Sequence, residues 1–174
     1  MEVNFVRGDI QVSRCQTILL PVSCDGEVEK FYRPIMRRYP LMEKQMLRFL
    51  RDGSLQMGKF WLYRHSPKRY VLVCPTRECA SDDVELEYIK TALEKLRACY
   101  EGRGITSIAV PLLADSDTCI RLQADILATL DIHVELYVEN IPLSTSLLPL
   151  VEKLTGALSQ EDIDNMRRLL CFED

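Results

Sequence analysis

Histidine is scarce in this chain, and its cysteines show no metal-binding spacing. The two histidines, His65 and His133, lie far apart, and no two of the seven cysteines form a Cys-X-X-Cys pair. Zinc sites draw on such clustered ligands, so the sequence predicts no metal site and no cofactor. An odd number of scattered cysteines in apolar stretches is typical of free thiols in a reducing compartment. We therefore expect a cytoplasmic protein.

Long apolar runs are missing as well. No stretch approaches the roughly 18 apolar residues of a membrane span. The first five residues lack the basic start and apolar stretch of a signal peptide, so no membrane association is expected. With 47% hydrophobic and 28% charged residues, the composition is that of a globular domain and excludes a disordered tail or a collagen-like fibre.

Charge is unevenly distributed along the chain. Residues 28–70 hold eleven Lys and Arg against three acidic residues, a local balance of +8 within a chain of net charge −4. Aromatic residues stand among these charges, including Phe31, Tyr32, Tyr39, Phe49, Trp61 and Tyr63, which is compatible with a nucleic-acid surface. The same pattern fits a solvated helix face with core aromatics, and an acidic chain with a pI of about 5.3 favours that interpretation.

The apolar pattern predicts the element order β-β-α-β-β-α-β-α-β, which indicates an α/β sandwich with a mixed sheet. The predicted strands cover residues 3–6, 17–22, 59–63, 69–74, 106–111 and 133–138, and the main helices cover 41–50, 84–100 and 116–130. Residues 1–140 form the predicted main domain. Residues 141–174 are predicted to be a helical extension packed on it. The alternative for this extension is an arm for a protein partner or for self-association.

Four segments in order resemble the macro domains. They are Gly8-Asp9-Ile10 before the strand at 17–22, then residues 53–58, residues 70–76 and residues 104–113. The likeness covers about residues 1–138 and is greatest to the branch of the DNA ADP-ribosyl glycohydrolase antitoxins and the terminal ADP-ribose glycohydrolase. It implies a three-layer α/β/α macro-like sandwich with an ADP-ribose cleft at one end of the sheet.

The resemblance also implies candidate ligand-binding residues. Asp9 would accept a hydrogen bond from the adenine amino group, and the Ile10 amide would lie near the same ring. A carboxylate suits that amino group because it is acceptor-only. The alternative is a plain turn in which Asp9 caps its own backbone. The full candidate set is Asp9, Ile10, Ser23, Cys24, Gly26, Arg77, Leu113 and Asp115.

Three departures from the family pattern bear on chemistry. The family's Asn position holds Ser23 or Cys24, and of its first glycine-rich loop only Gly26 remains. The second loop, at 112–118, has no glycine to let backbone amides close around a diphosphate. The lysine that follows Pro-Thr in the family is Arg77 here. Arginine stays protonated and is neither a nucleophile nor a general base.

The expected function is therefore binding of an ADP-ribose-like nucleotide, free or on an ADP-ribosylated macromolecule, without glycohydrolase activity. One alternative is a protein-interaction module on a degenerate macro fold, with a cleft filled by Leu112 and Leu113. A second is an ADP-ribosyl hydrolase with a non-standard site.

Two further candidate catalytic sites in the sequence can also be explained by structural roles of the same residues. Cys24 or Cys74 could be a nucleophile with His65 or His133 as its base, although a core thiol and a strand-edge imidazole account for the same residues. Asp115 and Asp117 could be paired carboxylates for acid–base or Mg²⁺ chemistry. With Ser116 and Thr118 they fit equally well as an N-cap cluster for the helix that follows.

Overall fold

Six strands and four α-helices follow one another along residues 2–141, the part of the chain that this computed structural model describes. The strands are β1 (Val3–Gly8), β2 (Thr17–Ser23), β3 (Trp61–Ser66), β4 (Arg69–Arg77), β5 (Ser107–Pro111) and β6 (His133–Asn140). The helices are α1 (Arg33–Arg38), α2 (Pro40–Asp52), α3 (Leu86–Cys99) and α4 (Asp117–Leu127). The predicted helical extension and its self-association lie outside the described residues.

The strands form one mixed sheet in the order β1-β6-β5-β2-β4-β3. All neighbours are parallel except β3, which runs antiparallel to β4. The carboxyl ends of β1, β6, β5, β2 and β4 therefore meet at one edge of the sheet, called here the carboxyl edge. In open α/β sheets this is the edge where ligands bind.

Helices cover both faces of the sheet and enclose two apolar cores. The side chains of α3 and α4 form one core with the sheet, and those of α1 and α2 form the other. The apolar run of β2 supplies both cores in alternation: Leu19 points to the α3–α4 side, whereas Ile18 and Leu20 point to the α1–α2 side. A strand buried on both faces needs such a continuous run. The predicted three-layer sandwich with a mixed sheet is confirmed.

Some predicted boundaries were wrong by a few residues. β3 starts and ends later than the predicted 59–63, and β4 runs three residues past its predicted end at 74. β4 extends this far because it continues to pair with β2: Val22 pairs with Pro75, and Ser23 pairs with Arg77. α4 ends three residues early, at Leu127. No α-helix within residues 2–141 is long and apolar enough to cross a membrane.

Two short 3-10 turns were not predicted. Ile10–Val12 follows β1, and Lys30–Tyr32 leads into α1. Both turns lie close to the carboxyl edge and shape the candidate site.

Candidate functional site

A cleft of about 240 Å³ opens at the carboxyl edge, between the ends of β2 and β4 and the chain that leads into α1. We call it the β2–β4 cleft. Its volume is slightly below the roughly 300–1,000 Å³ of common small-molecule sites. Three cations and two carboxylates line it, for a net charge of +1. These are Lys30, Arg33, Arg77, Glu27 and Glu29.

Arg77 is held at the rim of the cleft by two contacts. Its Nη2 lies 3.0 Å from Glu29 Oε1, and its Nη1 donates to the Ala80 carbonyl at 3.2 Å. The Glu29 side chain is 56% exposed, against 21% for Arg77. Exposed ion pairs contribute only about 0–1 kcal/mol. Another anion could therefore replace Glu29 on the guanidinium at little cost.

The turn after β2 uses its backbone amides internally. Ser23 N–H donates to the Glu27 carbonyl at 2.9 Å, and Gly26 N–H donates to the Ser23 carbonyl at 3.0 Å. Cys24 N–H donates to the Arg77 carbonyl at 2.9 Å. Gly26 has a φ of +89°, a conformation that favours glycine. These amides already have partners, so the turn presents no ready cradle for a phosphate.

The loop between β5 and α4 is also closed on itself. Leu113 N–H donates to Gln123 Oε1 at 2.9 Å, and Gln123 Nε2 donates to the Pro111 carbonyl at 3.0 Å. The Leu112 amide donates to the Tyr137 carbonyl at 3.0 Å. Gln123 is fully buried. A glutamine side chain on α4 therefore fixes the loop and occupies an amide that could otherwise face a ligand.

The side chains of this loop lie away from the β2–β4 cleft. Leu113 is buried in the core on the α3–α4 side, and Leu112 packs against the same core. Asp115 and Asp117 are exposed. Ser116 is the N-cap of α4, since its Oγ accepts from the Cys119 N–H at 3.1 Å. The N-cap interpretation of this cluster is confirmed for Ser116.

Asp9 and Ile10 lie at the end of β1, where both are buried. The Asp9 Oδ1 accepts from the Gln11 N–H at 2.9 Å and caps the Ile10–Val12 turn. Asp9 is 1% exposed and Ile10 is 0% exposed. The side-chain Oε1 of Gln11 is buried without a hydrogen-bond partner among residues 2–141. The predicted turn role of Asp9 is thus present, and its adenine role stays a prediction.

Tyr32 links this buried region to the β2–β4 cleft. Burial raises the pKa of its hydroxyl above the ordinary value, and the nearby carboxylates of Glu29 and Asp9 raise it further. Asn140 Nδ2 donates to the same hydroxyl at 3.5 Å. The charges of Glu29, which lines the cleft, and of buried Asp9 both act on the Tyr32 hydroxyl.

The candidate cysteine nucleophiles are protonated at neutral pH. Burial, followed by the charge of Glu78, raises the pKa of Cys24 to about 11. Burial alone raises the pKa of Cys74, in the core of the sheet, to about 12. A thiol attacks as its thiolate, so neither residue is an activated nucleophile.

The two histidines contact other partners. The ring of His65 packs on Tyr39 at 4.8 Å between centroids. His133 Nε2 lies 3.3 Å from Glu135 Oε2, at the start of β6 and far from the carboxyl edge. The positions of these side chains do not favour the Cys–His hydrolase hypothesis.

The structure brings only part of the predicted set to one cleft. Ser23 and Arg77 line it, and Cys24 and Gly26 belong to the adjoining turn, whereas Asp9, Ile10, Leu113 and Asp115 lie elsewhere along the carboxyl edge. Sequence reasoning missed Glu29 as the partner of Arg77. The basic stretch at 28–70 was the signal for Lys30 and Arg33, but it did not indicate which of its eleven cations face a cleft.

Known structures share this arrangement of strands and helices. The macrodomain of Thermus aquaticus DarG superposes with a TM-score of 0.72 at 20% identity, over 78% of this chain and 97% of that one. The chain has the macrodomain fold. The macrodomain of Mycobacterium tuberculosis DarG gives a TM-score of 0.68 at 19% identity, over 78% of this chain and 96% of that one.

A third similar structure contains a ligand. Thermosipho africanus DarTG in complex with ADP-ribose matches with a TM-score of 0.73 at 24% identity, over 79% of this chain and 41% of that longer one. By sequence, the chain matches no protein-family model and no curated protein. These superpositions establish the fold, whereas function has to be argued from the residues of the site.

Proposed function

We propose that this chain binds an ADP-ribose-like nucleotide, free or attached to a macromolecule, in the β2–β4 cleft, and that it does not hydrolyse the bond to ADP-ribose. The observation that carries the proposal is the group of three cations, Lys30, Arg33 and Arg77, at the carboxyl edge of a macrodomain fold. The Thermosipho africanus structure with this fold holds ADP-ribose.

Side chains take the place of backbone amides in binding the phosphates. The amides of Leu112 and Leu113 donate within the protein, as do those of Ser23 and Cys24. A guanidinium offers a planar pair of donors that matches a phosphate, and it keeps its charge at every physiological pH. Arg77 is therefore the main phosphate ligand in this proposal.

Arg77 lines two clefts, and the charges of their other lining residues determine which of the two binds the phosphates. A second cleft, of about 330 Å³, lies on its other side and contains four carboxylates. They belong to Glu78, Asp82, Asp83 and Glu85. A diphosphate would be repelled there, whereas the β2–β4 cleft has a net positive lining. The phosphates and the ribose attached to them bind on the β2–β4 side.

Adenine contact with Asp9 requires a local movement. The β2–β4 cleft is too small for a whole dinucleotide-sized ligand, and the Asp9 carboxylate is covered. The Lys30–Tyr32 turn is the element near both, since Lys30 lines the cleft and the charge of Asp9 acts on the Tyr32 hydroxyl. In this proposal the turn shifts when the nucleotide binds, and Asp9 then accepts from the adenine amino group.

The loss of hydrolysis follows from the groups that line the cleft. Arg77 stands where the resemblance places a lysine, and its guanidinium neither attacks nor removes a proton. Cys24, next to the cleft, has a pKa of about 11 and stays a thiol. Release of ADP-ribose from modified DNA or protein at rates on the order of 1 s⁻¹ or above would contradict this part of the proposal.

Titration calorimetry with ADP-ribose tests the binding. We expect saturable binding with one site per chain, weakened at least tenfold in Arg77→Gln. Arg97→Gln is the matched control, because Arg97 is an exposed arginine in the last turn of α3. An absence of binding at millimolar ADP-ribose, or equal loss in both variants, would overturn the proposal.

The packing of the β5–α4 loop bears on the interaction-module alternative. That alternative expects Leu112 and Leu113 to fill the nucleotide cleft. Both leucines pack on the α3–α4 core instead. The β2–β4 cleft is left open to solvent, which favours a small-molecule ligand over a filled cleft.

A further inference from the structure

A second group of chemically active side chains lies at the amino edge of the sheet, opposite the β2–β4 cleft. Cys15 precedes β2, and His133 and Glu135 stand near the start of β6. The Cys15 Sγ, a ring nitrogen of His133 and a carboxylate oxygen of Glu135 all lie within 4.8 Å of one another. We propose that these three side chains form a zinc site.

The local structure explains why the three donors converge. His133 and Glu135 are two residues apart on one strand, so their side chains leave the same face of the sheet. His133 Nε2 and Glu135 Oε2 are 3.3 Å apart. Two ligands of one tetrahedral zinc lie about 3.4 Å apart when their bonds are near 2.1 Å. The Cys15 Sγ lies within 4.8 Å of both donors, and a movement of this side chain would complete the set.

Outer contacts hold two of the ligands in place. The other carboxylate oxygen of Glu135, Oε1, accepts from Ser13 Oγ at 2.7 Å and from the Tyr137 hydroxyl at 3.0 Å. The Ser13 Oγ also accepts from the Cys15 N–H at 3.2 Å. Hydrogen bonds of this kind orient metal ligands.

The chemistry of the donors selects the metal. A thiolate, an imidazole and a carboxylate together suit zinc and disfavour magnesium or calcium, which take oxygen ligands. The thiolate and carboxylate would neutralise a divalent ion. The cation Arg69 is nearby, but its Nη1 and Nη2 donate to the Cys15 and Ser13 carbonyls. His133 is 55% exposed, which gives the ion a path from solvent and leaves a fourth position for water.

Zinc titration of the full chain against a chromophoric chelator tests the site, with His133→Gln as the main variant. Because His133 is exposed, this change should leave the fold intact. We expect one zinc per chain and at least a tenfold loss of affinity in His133→Gln. His65→Gln, which alters the other exposed histidine, is the matched control and should change affinity less than twofold.

Cobalt spectroscopy identifies the thiolate ligand. Co²⁺ should give a thiolate-to-metal absorption in the near ultraviolet that disappears in Cys15→Ser and persists in Cys79→Ser. Bound zinc should also raise the midpoint of thermal unfolding by about 5 °C or more. A failure to bind one equivalent of zinc, unchanged affinity in His133→Gln, or a cobalt band that survives in folded Cys15→Ser would each overturn the proposal.

Discussion

In the proposed binding mode, Glu29 competes with the nucleotide for Arg77, so removing the charge of Glu29 should tighten binding. In the free protein the Glu29 carboxylate lies 3.0 Å from the Arg77 guanidinium. A phosphate that binds Arg77 must displace this carboxylate and then remain close to its negative charge. Glu29→Gln keeps the size of the side chain and removes both penalties.

The size of the effect can be worked from the exposure of the pair. Glu29 is 56% exposed, so breaking its pair with Arg77 costs at most about 1 kcal/mol. Two unit charges about 4 Å apart in water repel by about 1 kcal/mol. The two effects together come to about 1–2 kcal/mol, which corresponds to roughly 5- to 30-fold tighter binding of ADP-ribose.

Titration calorimetry at two ionic strengths measures this gain. It should shrink at high salt, because exposed charges are screened. Glu101→Gln is the control, since Glu101 is an exposed glutamate just after α3, away from the carboxyl edge. Equal or weaker binding in Glu29→Gln would show that Arg77 does not receive the phosphates, and the placement of the nucleotide in the β2–β4 cleft would have to be abandoned.

Three further predictions concern the adenine contact, the closed loop and the thiol beside the cleft. Asp9→Ala should weaken ADP-ribose binding by about 1–3 kcal/mol in calorimetry, and equal affinity would remove the adenine role. Gln123→Leu should lower the free energy of unfolding by about 2–4 kcal/mol, because it leaves the buried Leu113 amide and the Pro111 carbonyl unpaired. Urea unfolding measures this loss, and a change below about 0.5 kcal/mol would show that Gln123 does not fix the loop. With a pKa of about 11, Cys24 should be alkylated by iodoacetamide far more slowly than exposed Cys79 at pH 7.5, and its rate should rise about tenfold per pH unit towards pH 11.

The fold was predictable because each strand and helix carries a strong local pattern. The apolar run at 17–22 is typical of a strand buried on both faces, and β2 does lie inside the sheet, between β5 and β4. In α3 the spaced apolar residues Ile89, Leu93 and Leu96 all reach the core. The ends of strands were less predictable, because they depend on hydrogen bonds to the neighbouring strand. β4 continues through Pro75 and Thr76 because β2 pairs with it there.

The candidate site was harder to predict because its contacts join residues far apart in sequence. Glu29 meets Arg77 across 48 positions, and Ser13 meets Glu135 across 122. Neither periodicity nor a short motif in the sequence indicates contacts between residues so far apart. The cysteine and histidine counts pointed away from a metal site because they tested spacing along the chain. Only the folded sheet brings Cys15 to His133.

The loop between β5 and α4 contains no glycine, and Gln123 fixes its conformation. A glycine-rich loop keeps its amides available to a ligand but leaves its own conformation weakly fixed. In this chain the buried amide of Gln123 ties Leu113 to Pro111, and leucine side chains anchor the loop in the α3–α4 core. These contacts make the loop rigid. The Leu112 and Leu113 amides donate within the protein and are not available to a diphosphate. Any phosphate binding at the carboxyl edge must then rely on charged side chains, and Arg77 is the cation that β4 places at its own end. The closed loop and the position of Arg77 both fit the proposal that this edge binds a nucleotide through side chains.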